Sequence, residues 1–249
     1  MRAVLLCAGF GTRLYPLTED RPKSLLQVAG EPLLNYLVRE LETIPLLHQV
    51  TLVANGRFYD QFCDWQRKLK SRPTLTIVND RAGEPENRLG AIKDLQMALS
   101  AEKSDDDILV LAGDNLFDAG LEPFISFALS KRPAGSVGVY QVESRALAKK
   151  YGLIQTDSSD KITGFFEKPE NPPTLLASMG VYFFPKETLS WIDCYLGEHK
   201  NLDAPGYYIS WLIKQVPLFA FRFGGSWFDI GDFNSYQKAN EHFEVLKKT

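Results

Sequence analysis

The sequence predicts an α/β domain built on a mostly parallel or mixed sheet flanked by helices. Three observations carry this. Short apolar runs at Arg2 to Cys7, Gln49 to Ala54, Leu75 to Val78 and Ile108 to Ala112 have the length of buried strands, too short for helices. Stretches of helical period separate them, and strand–helix alternation feeds a parallel sheet. The 249 residues, 45% hydrophobic and 24% charged, supply a core of good size.

Taken in order, Pro32 to Ile44 sets Leu33, Leu34, Leu37, Leu41 and Ile44 at helical spacing and stops before Pro45. The turn Asn55-Gly56 closes the second strand. Phe58 to Lys70 is the next helix, with Phe62, Trp65 and Leu69 on one face, and Pro73 starts the third strand. Asn79 to Arg88, containing Gly83 and Pro85, is a polar loop at the carboxyl end of a strand, where open α/β sheets hold ligands. A helix follows from Gly90 to Ser100. Asp105-Asp106-Asp107 reads as a solvated charge run, and the strand Ile108 to Ala112 ends in Gly113-Asp114-Asn115.

The second half has a different texture. Phe117 to Ser130 reads as a helix and Ser136 to Val142 as an alternating strand. Tyr151 to Asp157 and Lys161 to Glu167, joined by Ser158-Ser159-Asp160, read as a hairpin. Then come a strand (Ser178 to Phe184), two helices (Lys186 to Leu196 and Gly206 to Gln215), a strand (Leu218 to Phe223) and a terminal helix (Phe233 to Lys247). There is no internal repeat, low-complexity segment or linker.

Composition narrows the function. A net charge of −3 implies no general attraction to nucleic acid or an anionic membrane, so any anion site is local. Cys7, Cys63 and Cys194 lack metal-ligand spacing, and an odd count argues against a disulfide framework. Reduced thiols point to the cytoplasm. The chain enters its first strand at once, without a signal peptide or membrane span.

The chemistry concentrates after the first strand, in Leu5-Leu6-Cys7-Ala8-Gly9-Phe10-Gly11-Thr12-Arg13-Leu14 and Arg21-Pro22-Lys23. Glycines behind a strand let successive N–H groups point into one concavity, which suits phosphate. Thr12 adds a hydroxyl, Arg13 a planar cationic fork and Lys23 a point charge. Neither common phosphate loop is met: position 14 is Leu where the dinucleotide fingerprint needs a third Gly, and Gly11 is followed by Thr-Arg, not Lys-Ser/Thr.

The wider run, Ala8-Gly9-x-Gly11-Thr12-Arg13-Leu14-x-Pro16-Leu17-Thr18, Pro22-Lys23-x-Leu25-Leu26 and Val28-x-Gly30-x-Pro32-Leu33-Leu34, closely resembles the signature of the sugar-phosphate nucleotidyltransferases, the NDP-sugar pyrophosphorylases such as glucose-1-phosphate thymidylyltransferase. The resemblance implies their Rossmann-like, GT-A-like nucleotidyltransferase fold. It implies one catalytic domain over 1–249, with a nucleotide-binding half of about 1–120. An acceptor-binding half of about 121–249 would include the returning last helix. It also implies site residues. Ala8, Gly9, Gly11, Thr12, Asn87 and Gly90 would bind the nucleotide. Arg13 would hold the β/γ-phosphates, Lys23 the α-phosphate region and Lys168 the acceptor phosphate. Tyr151-Gly152, Glu167 of Phe166-Glu167-Lys168-Pro169, and Ser178 of Ser178-x-Gly180-x-Tyr182 would form the acceptor pocket. Asp114, and Asp229 in Trp227-Phe228-Asp229-Ile230-Gly231-Asp232, would bind Mg²⁺, which takes one or two carboxylates and completes its octahedron with phosphates and waters. Asp232 does not carry over and reads as the N-cap of the last helix.

The implied reaction joins an NTP and a sugar 1-phosphate into an NDP-sugar and pyrophosphate. Its nucleophile is already ionised, so no general base is required. The base-reading loop departs from the family, which places a Gln several residues before the Gly at position 90. UTP or dTTP is favoured, with GTP, CTP or a non-sugar acceptor such as phosphocholine as alternatives. A non-catalytic sugar-nucleotide sensor and a nicotinamide oxidoreductase are the rivals from other classes. Assembly into a homo-oligomer is left open.

Overall fold

The structure, a computed structural model, describes residues 1–69, 73–102, 105–199 and 205–248. Its strands are β1 (Arg2–Leu6), β2 (Gln27–Val28), β3 (Glu31–Pro32), β4 (Gln49–Ala54), β5 (Thr74–Asn79), β6 (Ile108–Ala112) and β7 (Asn115–Phe117). They continue as β8 (Gly135–Gln141), β9 (Gly152–Thr156), β10 (Ile162–Glu167), β11 (Leu176–Phe184), β12 (Leu218–Arg222) and β13 (Trp227–Asp229). The helices are α1 (Leu33–Glu42), α2 (Tyr59–Lys68), α3 (Ala91–Ala101), α4 (Glu122–Ser130), α5 (Arg145–Ala148), α6 (Ser190–Glu198), α7 (Pro205–Leu212) and α8 (Phe233–Leu246).

Strand β1 suits the middle of the sheet because it is apolar from Ala3 to Leu6 and buried over Arg2 to Leu5. It pairs in parallel with β4 on one side and β6 on the other, and β5 extends the β4 side in parallel. Beyond β6 the direction reverses: β11 is antiparallel to β6, β9 to β11 and β10 to β9. Strand β8 is antiparallel to β11 and carries β12 in parallel. The sheet is therefore mixed. Chain order reverses at β1, and the crevice outside the carboxyl ends of such strands is where open α/β sheets bind ligands.

Alternating residues send the strands into two separate cores. Ala3, Leu5, Leu52, Leu109 and Leu111 face α1, α2, α4 and α8, while Val4, Val53, Ile108 and Val110 face α3, α6 and α7. The terminal helix α8 returns to the first half through Ala239 and Phe243, and Asn240 accepts the Ala29 N–H at 2.9 Å. Asp232 caps α8, accepting the Ser235 N–H at 2.8 Å while the Ser235 hydroxyl accepts from the Asp232 N–H at 3.1 Å. No described helix is long and apolar enough to cross a membrane.

Three sequence expectations need correction or a limit. The helix expected over Phe117 to Ser130 begins only at Glu122, because Asn115–Phe117 is β7, paired antiparallel with β13. The Asp105–Asp107 run is engaged at the junction of β1 and β11. Asp105 pairs with Lys186, Asp106 with the N-terminal ammonium at 3.1 Å, and Asp107 with Arg132 at 3.1 Å. Lys70, the expected last residue of the second helix, lies outside the described residues. The cysteines are free, with Cys7 buried.

Candidate active site

Two neighbouring cavities open at the carboxyl edge of the sheet. The first, about 260 Å³, lies against the loop after β1 and is lined by Gly9, Gly11, Thr12, Arg13, Lys23 and Asp114 among others. The second, about 460 Å³, lies against the antiparallel half, where Tyr151, Lys168, Trp227, Asp229 and Asp232 contribute to its wall. Arg13 and Gly231 line both.

The loop owes its shape to Gly11. This residue has φ +66° and ψ 26° and precedes a turn of 3₁₀ helix over Thr12–Leu14. A Cβ there would be strained by the positive φ and would stand 3.3 Å from both the Lys23 and Thr18 side chains. The Thr18 hydroxyl donates to the Gly11 carbonyl at 2.7 Å and fixes the loop from behind. Leu14 is fully buried and anchors the next turn, which leaves Thr12 and Arg13 exposed at the cavity. Ala8 is buried at the base of the loop, where its carbonyl accepts from Asn55 Nδ2 at 2.9 Å.

Asp114 follows β6 directly, and the Gly113 N–H donates to the Leu6 carbonyl at 2.9 Å, which locks the ends of β6 and β1 together. Lys23 Nζ donates to Asp114 Oδ2 at 2.5 Å. Asp229 arrives from more than 100 residues later because β13 pairs with β7, Asp229 opposite Asn115. The Ile230 N–H donates to the Asp114 carbonyl at 3.0 Å, so the two aspartates are brought together by backbone bonding. Burial, and then the Asp114 charge, push the Asp229 carboxyl up to about 6, while Lys23, Arg13 and Lys168 pull against that rise. Asp229 thus lies within reach of the Asp114 charge and of three cations.

In the second cavity, Tyr151 packs against Trp227 in a tilted pair with ring centroids 4.9 Å apart, and Tyr140 flanks the same indole at 5.7 Å. Burial, followed by the charges of Asp229 and Asp232, raises the Tyr151 phenol to about 12. Strand β10 ends at Glu167, and Lys168 adopts φ +43° with its N–H on the Tyr151 carbonyl at 3.1 Å. That break lets neighbouring side chains turn to one side: Lys168 Nζ stands 3.8 Å from Glu167 Oε1. Gly152 opens β9 opposite Glu167. Ser178 is half-buried on β11, and its hydroxyl lies 3.2 Å from the Tyr182 hydroxyl.

Not every expected site residue lies on a cavity wall: Gly152, Glu167 and Ser178 do not line the second cavity, nor Asn87 and Gly90 the first. Asn87 ends a 3₁₀ turn over Pro85–Asn87, is exposed, and does not line the first cavity. Pro85 and Arg88 do. Gly90 is buried at the start of α3. No spacing rule singles out Arg88, and its place on the wall follows from the turn before it. Lys150, Glu143 and Lys238 line the second cavity and carry no motif.

Comparison with known proteins places this geometry among relatives. Residues 2–245 match the family model described as nucleotidyl transferase. The bifunctional protein GlmU of Methanocaldococcus jannaschii is 29% identical over 93% of this chain and 51% of its own. The UTP–glucose-1-phosphate uridylyltransferase AglF of Haloferax volcanii is 31% identical over 74% of this chain and 72% of its own. The chain spans about half the length of the GlmU relatives it matches. The fold is that of a UDP-glucose pyrophosphorylase from Acinetobacter baumanii, with a TM-score of 0.78, 24% identity and coverage of 99% of this chain and 96% of that one.

Proposed function

The chain belongs to the nucleotidyl transferase family, and from that premise we propose that it transfers a nucleotidyl group from an NTP to a sugar 1-phosphate, releasing pyrophosphate. The observation that carries this reading is the pair of cavities meeting at Arg13 and Gly231, with Lys23 and Asp114 on one side and Lys168 and Asp229 on the other. An NTP fits the glycine-loop side, and a phosphate-bearing acceptor fits the Lys168 side. The relative AglF acts on glucose 1-phosphate by name, and the aromatic wall with charged groups at its edge suits a sugar ring.

The acceptor phosphate attacks the α-phosphorus and pyrophosphate leaves on the opposite side. An ionised phosphate needs no base, so the residues here position and neutralise. The Gly9–Arg13 loop and Arg13 take the β- and γ-phosphates, Lys23 the α-phosphate, and Lys168 the acceptor phosphate. The neighbouring carboxylates of Asp114 and Asp229 fit Mg²⁺, which takes one or two of them and leaves its other positions to phosphate and water. No group of three or more His, Cys, Asp or Glu side chains of metal-binding arrangement occurs among the described residues, so a cation of this kind suits the site better than one needing a full protein cage. Asp114 and Asp229 would hold it, and it would supply charge neutralisation at the bridging oxygens.

Pyrophosphate release from NTPs crossed with sugar 1-phosphates tests the reading, beginning with UTP or dTTP and glucose 1-phosphate. Release should need both substrates and a divalent cation. Tight NTP binding with no release under any pairing would convert the reading to that of a sensor.

A further inference from the structure

We propose that Asn115 and Trp227 form a positioning relay that holds the Asp114 carboxylate and ties it to the wall of the acceptor cavity. The proposal rests on the functional reading above. Trp227 Nε1 donates to Asn115 Oδ1 at 2.6 Å. Asn115 Nδ2 in turn donates to Asp114 Oδ1 at 3.1 Å, and Lys23 holds the other oxygen, Oδ2, at 2.5 Å. Both oxygens of Asp114 are thereby directed.

The chemistry of the three groups fixes the direction of the chain. An indole N–H can only donate, and a carboxylate can only accept. An amide placed between them satisfies both in one orientation, oxygen to the indole and NH₂ to the carboxylate. The indole is therefore what decides that Asn115 presents a donor, and not an acceptor, to Asp114. Asn115 is 5% exposed, so water is a poor substitute for either partner.

The fold makes room for this amide. Asn115 sits opposite Asp229 in the β7–β13 pair, and Trp227, two residues before Asp229, shares its face of the strand. Behind the amide, β11 bulges at Gly180, which has φ +70°. A Cβ there would stand 2.8 Å from the Ala112 Cβ and 3.3 Å from Asn115 Nδ2. The other end of the relay is the acceptor wall, because the Trp227 ring lines the second cavity between Tyr140 and Tyr151. One side chain thus serves as wall for the acceptor and as orienter for a proposed metal ligand.

Trp227→Phe keeps an aromatic ring and removes the donor. The first readout is Mn²⁺ affinity by electron paramagnetic resonance, with a non-hydrolysable NTP analogue bound, so that no turnover is involved. The expected loss is about three- to tenfold, the range of one neutral hydrogen bond. kcat should fall by a similar factor, while the acceptor KM stays within about twofold of wild type. Asn115→Leu should weaken Mn²⁺ by about tenfold or more, since a bond to a charged group is lost. Trp227→Phe added to Asn115→Leu should cost nothing further, because the indole acts through the amide. Asn115→Ser takes the place of the leucine variant in the cycle if that protein does not fold. Equal losses from Trp227→Phe with and without Asn115, or a lower melting temperature with unchanged Mn²⁺ affinity, would overturn the relay and leave Trp227 as a wall only. Mn²⁺ binding indifferent to Asp114→Asn would overturn the functional reading itself.

Discussion

Replacing Asp94 with Asn should stabilise the protein, and more so as pH rises. Asp94 lies in the first turn of α3 and Asp80 follows β5, so they stand at the two ends of the loop that flanks the nucleotide cavity. Both are buried, 6% and 5% exposed, and Asp94 Oδ1 and Asp80 Oδ2 have no hydrogen-bond partner. Burial first, and then the Asp80 charge, raise the Asp94 carboxyl from 3.8 to about 7. Below the lower value Asp94 is protonated folded and unfolded alike, and its contribution is whole. Between the two values the folded state alone keeps the proton, so stability falls as pH climbs, and the loss is complete above the folded value. About three units at about 1.4 kcal/mol each give a cost of roughly 4 kcal/mol at alkaline pH. From about pH 5 to about pH 8.5 some two units of that remain, or about 3 kcal/mol. Urea unfolding of wild type and Asp94→Asn at those two pH values measures it, with m compared to exclude a change in the unfolded state. The wild type should lose about 3 kcal/mol relative to the variant over that interval. Parallel pH profiles would refute the reasoning and mean that Asp94 ionises normally.

Three further outcomes follow from the active site. Asp114→Asn or Asp229→Asn should lower Mg²⁺-dependent pyrophosphate release by about 10²-fold or more with the fold intact, seen by circular dichroism, because each removes a charge facing the proposed cation. Near-normal rates in both would remove the two-aspartate assignment. Arg13→Ala should cost on the order of 10²-fold in kcat/KM, about 3 kcal/mol, in steady-state kinetics. A loss below about tenfold with unchanged NTP affinity would make Arg13 structural. Lys168→Ala should raise the acceptor KM by about tenfold and lower kcat with little change in the NTP KM, while Glu167→Gln should weaken discrimination among sugar epimers. A rise confined to the NTP KM would put the acceptor on the other side.

Much of the first half was legible because its signals are local. Apolar runs bounded by Gly, Pro or Asn gave β1, β4, β5 and β6, and the apolar spacing of Leu33, Leu37 and Leu41 gave α1. The failures were places where a partner far along the chain decides. Asn115–Phe117 has no strand pattern of its own, and only Trp227–Asp229 opposite makes it one. The three aspartates at 105–107 look solvated until Met1, Arg132 and Lys186 are brought beside them. Asn87 is a candidate by its hydrogen-bonding side chain alone, and after the 3₁₀ turn Pro85–Asn87 it is Arg88 that lines the cavity. Resemblance named Asp114 and Asp229 together, and no period or spacing could have shown that they meet.

The division of the lining residues also constrains where reaction takes place. Lys23 and Asp114 line only the first cavity, Lys168 and Asp229 only the second, and Arg13 and Gly231 both. An in-line displacement needs the nucleophile and the leaving group on opposite sides of the phosphorus. On the proposed reading, the shared wall would be the place where an acceptor from one cavity and a pyrophosphate in the other satisfy that requirement. Arg13, on the shared wall, would face charge arising in either direction. Gly231 is not required there for space, since a Cβ on it would meet Arg13 Nη2 at 3.4 Å and Asp229 Oδ2 at 3.5 Å, ordinary contact distances, so of the two residues on the shared wall it is Arg13 that bears on the reaction.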